Sequence, residues 1–287
     1  VLANLKEIRS RISSVSSTMQ ITQAMKMVSA AKLKKAQTTI VSMRPYTENL
    51  FNIITDILKS MPGYTSSLVG EKIHHPKRLL ISVTSNRGLC GGFNSNIIKA
   101  TKNYLHENKS LDIDLVTVGK KGNDVLSKTN KIVSDHSSLF ENLDYESTTK
   151  IADKYITKFI SGEYDKIDLL YNKFKNAATQ IITNDTLLPY KISHSEKTGI
   201  LNDYIYEPDK SKILQEIIPR GIKILFYKAL RESFASEHGA RMTAMHKATD
   251  NAAELAEQLK LTYNKDRQAS ITNEILEIVG GAEALKK

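Results

Sequence analysis

The residues best placed for chemistry are the glycines of the run Asn86-Arg87-Gly88-Leu89-Cys90-Gly91-Gly92-Phe93-Asn94. The run follows an apolar stretch, Lys77 to Ser85, and precedes a helical pattern capped by Asn94 or Ser95. Phosphate-binding loops occupy such places, because a helix N-terminus offers free amides to an anion. The spacing fits neither GxGxxG nor GxxxxGK[ST], and Gly119-Lys120-Lys121-Gly122 also lacks the second signature. The favoured reading is a tight turn without ligand, with nucleotide binding as the alternative.

Cys90 lies in the same turn, but none of the seven histidines is set beside it by a motif, so it reads as a small buried side chain. As the single cysteine it can form neither an internal disulfide nor a CxxC clasp, which points to a reducing compartment or one where disulfides are irrelevant. His74 and His75 supply at most half of a metal site, with no HExxH or Cys/His cluster to complete it. Glu232 with Glu237, and Glu254 with Glu257, read as surface salt-bridge partners on a long helix. No catalytic residue, cofactor or metal is expected, and a mechanical or binding role is.

The elements around these residues fall into three parts. The first 44 residues contain no glycine or proline. Apolar side chains fall at Leu5, Ile8, Ile12, Val15 and Met19, then resume with shifted phase at Ile21, Met25 and Val28 and again at Leu33, Ala36, Ile40 and Met43. This spacing predicts one long amphipathic helix. From Arg220 to Val279 there is no proline and only Gly221 and Gly239, so a second, longer helix is expected. Helices of these lengths would measure about 66 and about 90 Å. A compact globule of this chain length is roughly 50 Å across. Neither helix fits inside one, and the two bury their stripes most simply as an antiparallel coiled coil.

Between them, strands are predicted at Lys77 to Ser85, Leu111 to Gly119, Lys166 to Phe174 and Ala177 to Tyr190. Helices are predicted after Asn94, after Lys120 and up to Gly162, and the alternation indicates an α/β sheet layer. Met61 to Pro76 and Lys191 to Lys212 read as loops, and the domains are expected to be an N-terminal coiled-coil helix at 1–58, a central α/β domain at 59–212 and a C-terminal coiled-coil helix at 213–287.

The 287 residues carry 41 Lys+Arg against 31 Asp+Glu, a net charge of +10, with 40% hydrophobic residues. No apolar run approaches the eighteen or so residues needed to span a bilayer. Eight basic residues and one acid in the first 44 positions give that segment +7, leaving +1 for the middle and +2 after Arg220. The basic helix could bind nucleic acid, serve as a targeting peptide or face an acidic protein. The pattern runs past Met19 into Val28-Ser29-Ala30-Ala31-Lys32, where a removable peptide would have ended. Residues 1–44 also contain no aromatic side chain, which argues against nucleic acid.

Three stretches together carry a resemblance: Ile8 to Gln37, Ser85 to Asn94, and Ile271 to Ala284. With Ser236 to Ala252 and Tyr263 to Ser270 they resemble the gamma subunits of F-type ATP synthases, and Ile271-Thr272, Glu274, Glu277 and Gly281-Ala282 stand at that family's spacing. The resemblance implies a mixed α/β fold: a long antiparallel coiled coil of N- and C-terminal helices plus a central Rossmann-like α/β sheet domain. It also implies a rotor shaft turning inside an alpha3beta3 hexamer, seated on an epsilon-type subunit and a ring of c subunits. Proton flow would then be coupled to nucleotide chemistry at the alpha/beta sites, with membrane association indirect, through the c ring.

Carried over residue by residue, Met25, Lys26 and Arg241 face the acidic lever loop of the beta subunits. Arg267, Gln268, Thr272 and Glu274 touch beta higher up, and Tyr206 and Glu207 meet the c ring. If Met25 lies opposite about residue 243, Val1 lies opposite about residue 267 and the last twenty or so residues stand alone. With Cys90 the only cysteine, the thiol switch of the chloroplast form is not expected. The chain starts almost at its first helix, so the expectation is a bacterial member at the cytoplasmic face of the inner membrane, with the mitochondrial matrix face as the alternative.

Overall fold

The computed structural model describes residues 2–61, 63–70, 77–190 and 205–284. Its elements run α1 (Leu2–Lys59), β1 (Lys77–Val83), α2 (Phe93–Glu107), β2 (Asp112–Val118), α3 (Lys120–Leu126), β3 (Ile132–Asp135), α4 (Tyr145–Ile160), β4 (Lys166–Phe174), β5 (Gln180–Leu188) and α5 (Lys210–Ala284). The chain forms two compact units, one of residues 1–29 with 242–287 and one of residues 30–241.

In the first unit the ends of α1 and α5 pair antiparallel. Ile8, Thr22 and Ser29 are buried from α1, and Met245, Ala252 and Ser270 from α5. Thr249 Oγ1 donates to Thr22 Oγ1 at 2.8 Å, and Arg9 donates to the Tyr263 hydroxyl at 2.6 Å. Advancing from these pairs puts Met25 opposite about residue 246, some three residues beyond the expected register. The contacts that set the register are polar, and an apolar periodicity does not encode them.

The second unit is built on a five-stranded sheet in the order β3-β2-β1-β4-β5. The first four strands are parallel and β5 runs antiparallel to β4. Strand β1 sits at the centre with five consecutive buried residues, as expected of a parallel strand covered on both faces. Leu80, Leu115 and Leu170 point to one face, where Ile97 of α2 and Leu126 of α3 cover them. The other face presents Leu79, Ile81, Val116 and Leu169 to Phe159 of α4, Ile54 and Ile57 of α1, and Ile222, Phe226 and Leu230 of α5. Helix α4 starts where Asp144 accepts the Ser147 amide at 2.7 Å.

Four local expectations change. Both long helices continue through a proline, Pro45 in α1 and Pro219 in α5. A helical proline leaves the carbonyl four residues earlier without its amide, and here those residues, Val41 and Gln215, are exposed to water. Helix α5 also begins within the expected loop, because Asp209 accepts the Lys212 amide at 2.9 Å and caps it. Strand β3 went unread, being four residues long at the sheet edge with alternate positions exposed. Finally, Gly92 and not Asn94 or Ser95 precedes α2. Ser95 donates back to the Gly92 carbonyl, while Asn94 turns inward to accept the Ser85 amide at 2.9 Å. His74, His75 and residues 191–204 lie outside the described residues.

Gly119 joins β2 to α3 with φ +116°, and a Cβ there would sit 2.3 Å from the Thr84 carbonyl oxygen. Gly119→Ala is therefore expected to cost roughly 2–5 kcal/mol, from backbone strain and overpacking together. Denaturant unfolding followed at the sheet domain checks this; an unchanged midpoint would mean that the β2–α3 turn relaxes without loss.

Candidate functional site

The glycine turn closes the C-terminal end of β1. Leu89 and Gly91 adopt φ values of +60° and +59°, which reverses the chain tightly. Cys90 is 2% exposed and forms a small apolar cluster with Phe93 and Ala240 of α5. Its sulfur lies 3.3 Å from Asn94 Nδ2, and burial pushes the thiol above its usual pKa. A reactive cysteine needs the opposite environment.

What the turn offers the rest of the chain is its carbonyls. Arg241 donates to the Arg87 oxygen at 2.8 Å and to the Gly88 oxygen at 3.2 Å, and forms a 2.7 Å ion pair with Glu237. Arg241 is 6% exposed and Glu237 6%. A phosphate loop must point amides at its ligand, whereas this one points oxygens at a guanidinium. In doubly wound sheets ligands bind beyond the strand ends where the order reverses, here between β1 and β4. Helix α5 fills that place: a Cβ on Gly239 would meet Ala177 Cα at 3.1 Å and Phe174 at 3.5 Å, so a side chain there would press on the β4–β5 turn.

Glu232 and Glu237, expected on the surface, are both buried. Burial raises the Glu237 pKa, and Arg241 opposes that shift less strongly. His238 beside it stays neutral: burial first, then Arg241 and Lys32, depress its pKa to about 3. Its ring stands edge-on to Phe234 at 4.4 Å. The four-residue step from Glu237 to Arg241 was visible in the sequence as a helical ion-pair spacing. Its burial depends on how close Gly239 brings the helix to the sheet, which periodicity does not report.

The remaining candidate residues divide by exposure. Met25 and Lys26 are half-buried on α1. Arg267 and Gln268 are exposed on α5, and every residue from Ile271 to Ala282 is exposed, including Thr272 and Glu274. Thr272 donates its hydroxyl to the Gln268 carbonyl at 2.9 Å, and Ser270 reaches Glu274 at 3.4 Å. In the second unit, Glu207 is exposed and the Tyr206 ring lies under Lys210 Nζ at 4.8 Å. The structure thus gathers Met25 with Lys26, and Arg267 with Gln268, Thr272 and Glu274, while it draws Arg241 inward.

A family model described as ATP synthase matches residues 4–285. The chain is 58% identical over 284 residues to an ATP synthase gamma chain of Flavobacterium johnsoniae, covering 99% of each. The chain belongs to the gamma-chain family of F-type ATP synthases. An ATP synthase gamma chain of Geobacter metallireducens is 44% identical, with 99% of this chain and 100% of that one covered. Among solved structures, a chain of the central stalk/c-ring structure of Tetrahymena thermophila mitochondrial ATP synthase matches at 27% identity and a TM-score of 0.59, over 79% of this chain and 99% of that one. A chain of the Euglena gracilis mitochondrial OSCP/F1/c-ring structure shares the fold at a TM-score of 0.69 and 22% identity, over 99% of this chain and 95% of that one. The gamma-chain fold is therefore that of a central stalk.

Arg241→Ala leaves Glu237 buried without its cation and frees two carbonyls, an expected loss of about 3–5 kcal/mol. Alkylation of Cys90 by iodoacetamide should accelerate at least about tenfold as the turn opens more often, with Arg241→Lys intermediate because it keeps the charge and loses the fork. An unchanged alkylation rate would show that the turn is held by other contacts. The buried neutral His238 adds a pH dependence. Its folded pKa of about 3 lies below the unfolded value near 6.5. The unfolded chain therefore gains a proton first, and stability falls as pH drops from about 6.5 toward 3. His238→Gln should flatten that part of the pH–stability curve; an unaltered acid limb would assign it to other groups.

Proposed function

We propose that the chain is the rotating shaft that couples ion flow through a membrane sector to ATP synthesis and hydrolysis at sites held by its partners. The observation that carries this reading is the antiparallel helix pair whose α5 end, from Ile271 to Ala282, is exposed on every side. A shaft segment that passes several binding surfaces in turn needs such an all-round face. The proposed partners, a reading that family membership supports, are an alpha3beta3 hexamer around the helices, with an epsilon-type subunit and a c-subunit ring at the sheet domain. Protons are the proposed coupling ion.

Among the described residues no helix is long and apolar enough to cross a membrane, which suits attachment through the c ring at the cytoplasmic face of a bacterial inner membrane. Met25, Lys26, Arg267, Gln268, Thr272 and Glu274 are the proposed beta contacts. Their exposed or half-exposed positions support that assignment. Arg241 is the remaining proposed beta contact, and its donors are engaged inside the chain by the Arg87 and Gly88 oxygens and Glu237. Tyr206 and Glu207 are the proposed c-ring contacts. Nucleotide chemistry resides with the partners, in keeping with a strand-end crevice filled by α5.

Recovery of the tagged chain from solubilised membranes should bring down alpha and beta subunits in stoichiometric amounts, and a monomeric chain in that experiment would overturn the proposal. Met25→Lys adds a cation where the shaft faces acidic loops. It should lower ion-driven ATP synthesis about tenfold, the equivalent of 1.4 kcal/mol, while subunit composition stays intact. Wild-type coupling in that variant would remove Met25 from the contact.

A further inference from the structure

A cavity of about 290 Å³ lies between the β4–β5 end of the sheet and helix α5. It approaches the range of small-ligand pockets. Helix α5 contributes Leu225, Lys228, Ala229 and Glu232, a stripe at three- and four-residue steps that faces the sheet. Across from it, Tyr171 donates its hydroxyl to Asp185 at 3.0 Å. Glu232 is 8% exposed, yet its buried Oε2 has no hydrogen-bond partner among the described residues. A buried carboxylate oxygen left unpaired costs the full desolvation of that atom. Elsewhere in the unit, buried acids are met: Asp168, 1% exposed, receives Tyr104, Lys166 and Thr186 within 2.9 Å.

The charges around the cavity select what could complete it. Lys173 and Lys228 line it together with Asp185 and Glu232, so the formal charges of the lining cancel. A purely cationic or purely anionic guest would bring an uncompensated charge into a half-enclosed space. A guest carrying both an ammonium and a carboxylate would meet an opposite charge at each of the two groups. Leu187 and Leu225 offer a short aliphatic chain an apolar wall. We propose that this cavity is a binding site for a small aliphatic zwitterion of α-amino-acid size, its ammonium on the Glu232 carboxylate and its own carboxylate toward Lys173 and Lys228. The site is separate from the proposed shaft contacts and does not depend on them.

The test is equilibrium dialysis of labelled L-leucine against the ATP synthase complex containing this chain, with the Glu232→Gln variant complex in parallel. One leucine per chain is expected at millimolar concentration in the wild type, and its loss in the variant. Glutamine keeps the side chain's size, so equal ATP hydrolysis by the two complexes shows that the variant has assembled. Isoamylamine and isocaproate, each carrying half of the zwitterion's charge, should compete at least about tenfold more weakly than leucine, a difference of 1.4 kcal/mol. Absence of Glu232-dependent leucine binding at 10 mM, as when only water meets the carboxylate, would overturn the proposal. Equal competition by isoamylamine would overturn it too, because the lysines would then play no part.

Discussion

The sheet unit depends on a guanidinium brought to a pair of carbonyls. Arg241 can reach the Arg87 and Gly88 oxygens only if α5 lies close against the ends of β1 and β4, and it can be buried there only because Glu237 comes with it. Two isolated charges in that position would be prohibitive, and one alone would shift to its neutral form or stay outside. Paired one helical turn apart and given backbone acceptors, they are tolerated. The pair therefore fixes the rotation of α5 about its own axis at this point. Turning the helix by one residue would swing about 100° of its surface and bury a different set of side chains.

That constraint explains which parts of the structure were legible in the sequence. Strands β1, β2 and β4 and helices α2 to α4 could be read because each has a continuous apolar run or a clear period, and their burial agrees with it; β5 was read from its residue types, although only Leu187 and Leu188 at its end are buried. The long helices were legible from the absence of glycine and proline, although the periodic runs themselves stop before Pro45 and begin after Pro219. A proline is disruptive in proportion to what its missing amide leaves unpaired, and at an exposed turn water takes that role. Asn94 misled for a related reason. Its type and position suit a helix cap, but the β1 end offered it a buried amide and hydroxyl on Ser85, and satisfying those outweighed capping α2.

The candidate contacts were legible only as a resemblance. Nothing in the spacing of Arg267, Gln268, Thr272 and Glu274 distinguishes them from other polar residues of an exposed helix. What the structure adds is exposure. Among the residues of α5 whose burial is described, Ser270 is the last buried one, and Ile271, Ile275, Leu276, Ile278 and Val279 beyond it are between 48% and 71% exposed. Scattered exposed apolar residues are ordinary, but five within nine positions of one helix form a patch that water alone does not explain. Polar contacts placed among them would then position the helix, and the apolar residues would supply most of the affinity.

The glycine turn shows how one topology can serve opposite ends. A doubly wound sheet leaves a crevice where its strand order reverses, and many proteins place a ligand there. In this chain Gly239 removes the side chain that would keep α5 away from Ala177 and Phe174, and Ala240, next in line, packs against Cys90 and Phe93. The helix thereby becomes the crevice's occupant. Leu89 and Gly91 make the reversal of the turn with positive φ, and a phosphate would find oxygens there where it requires amides. A sheet that in other proteins holds a cofactor is here fastened to a helix, which is the use a load-transmitting subunit has for a rigid α/β unit.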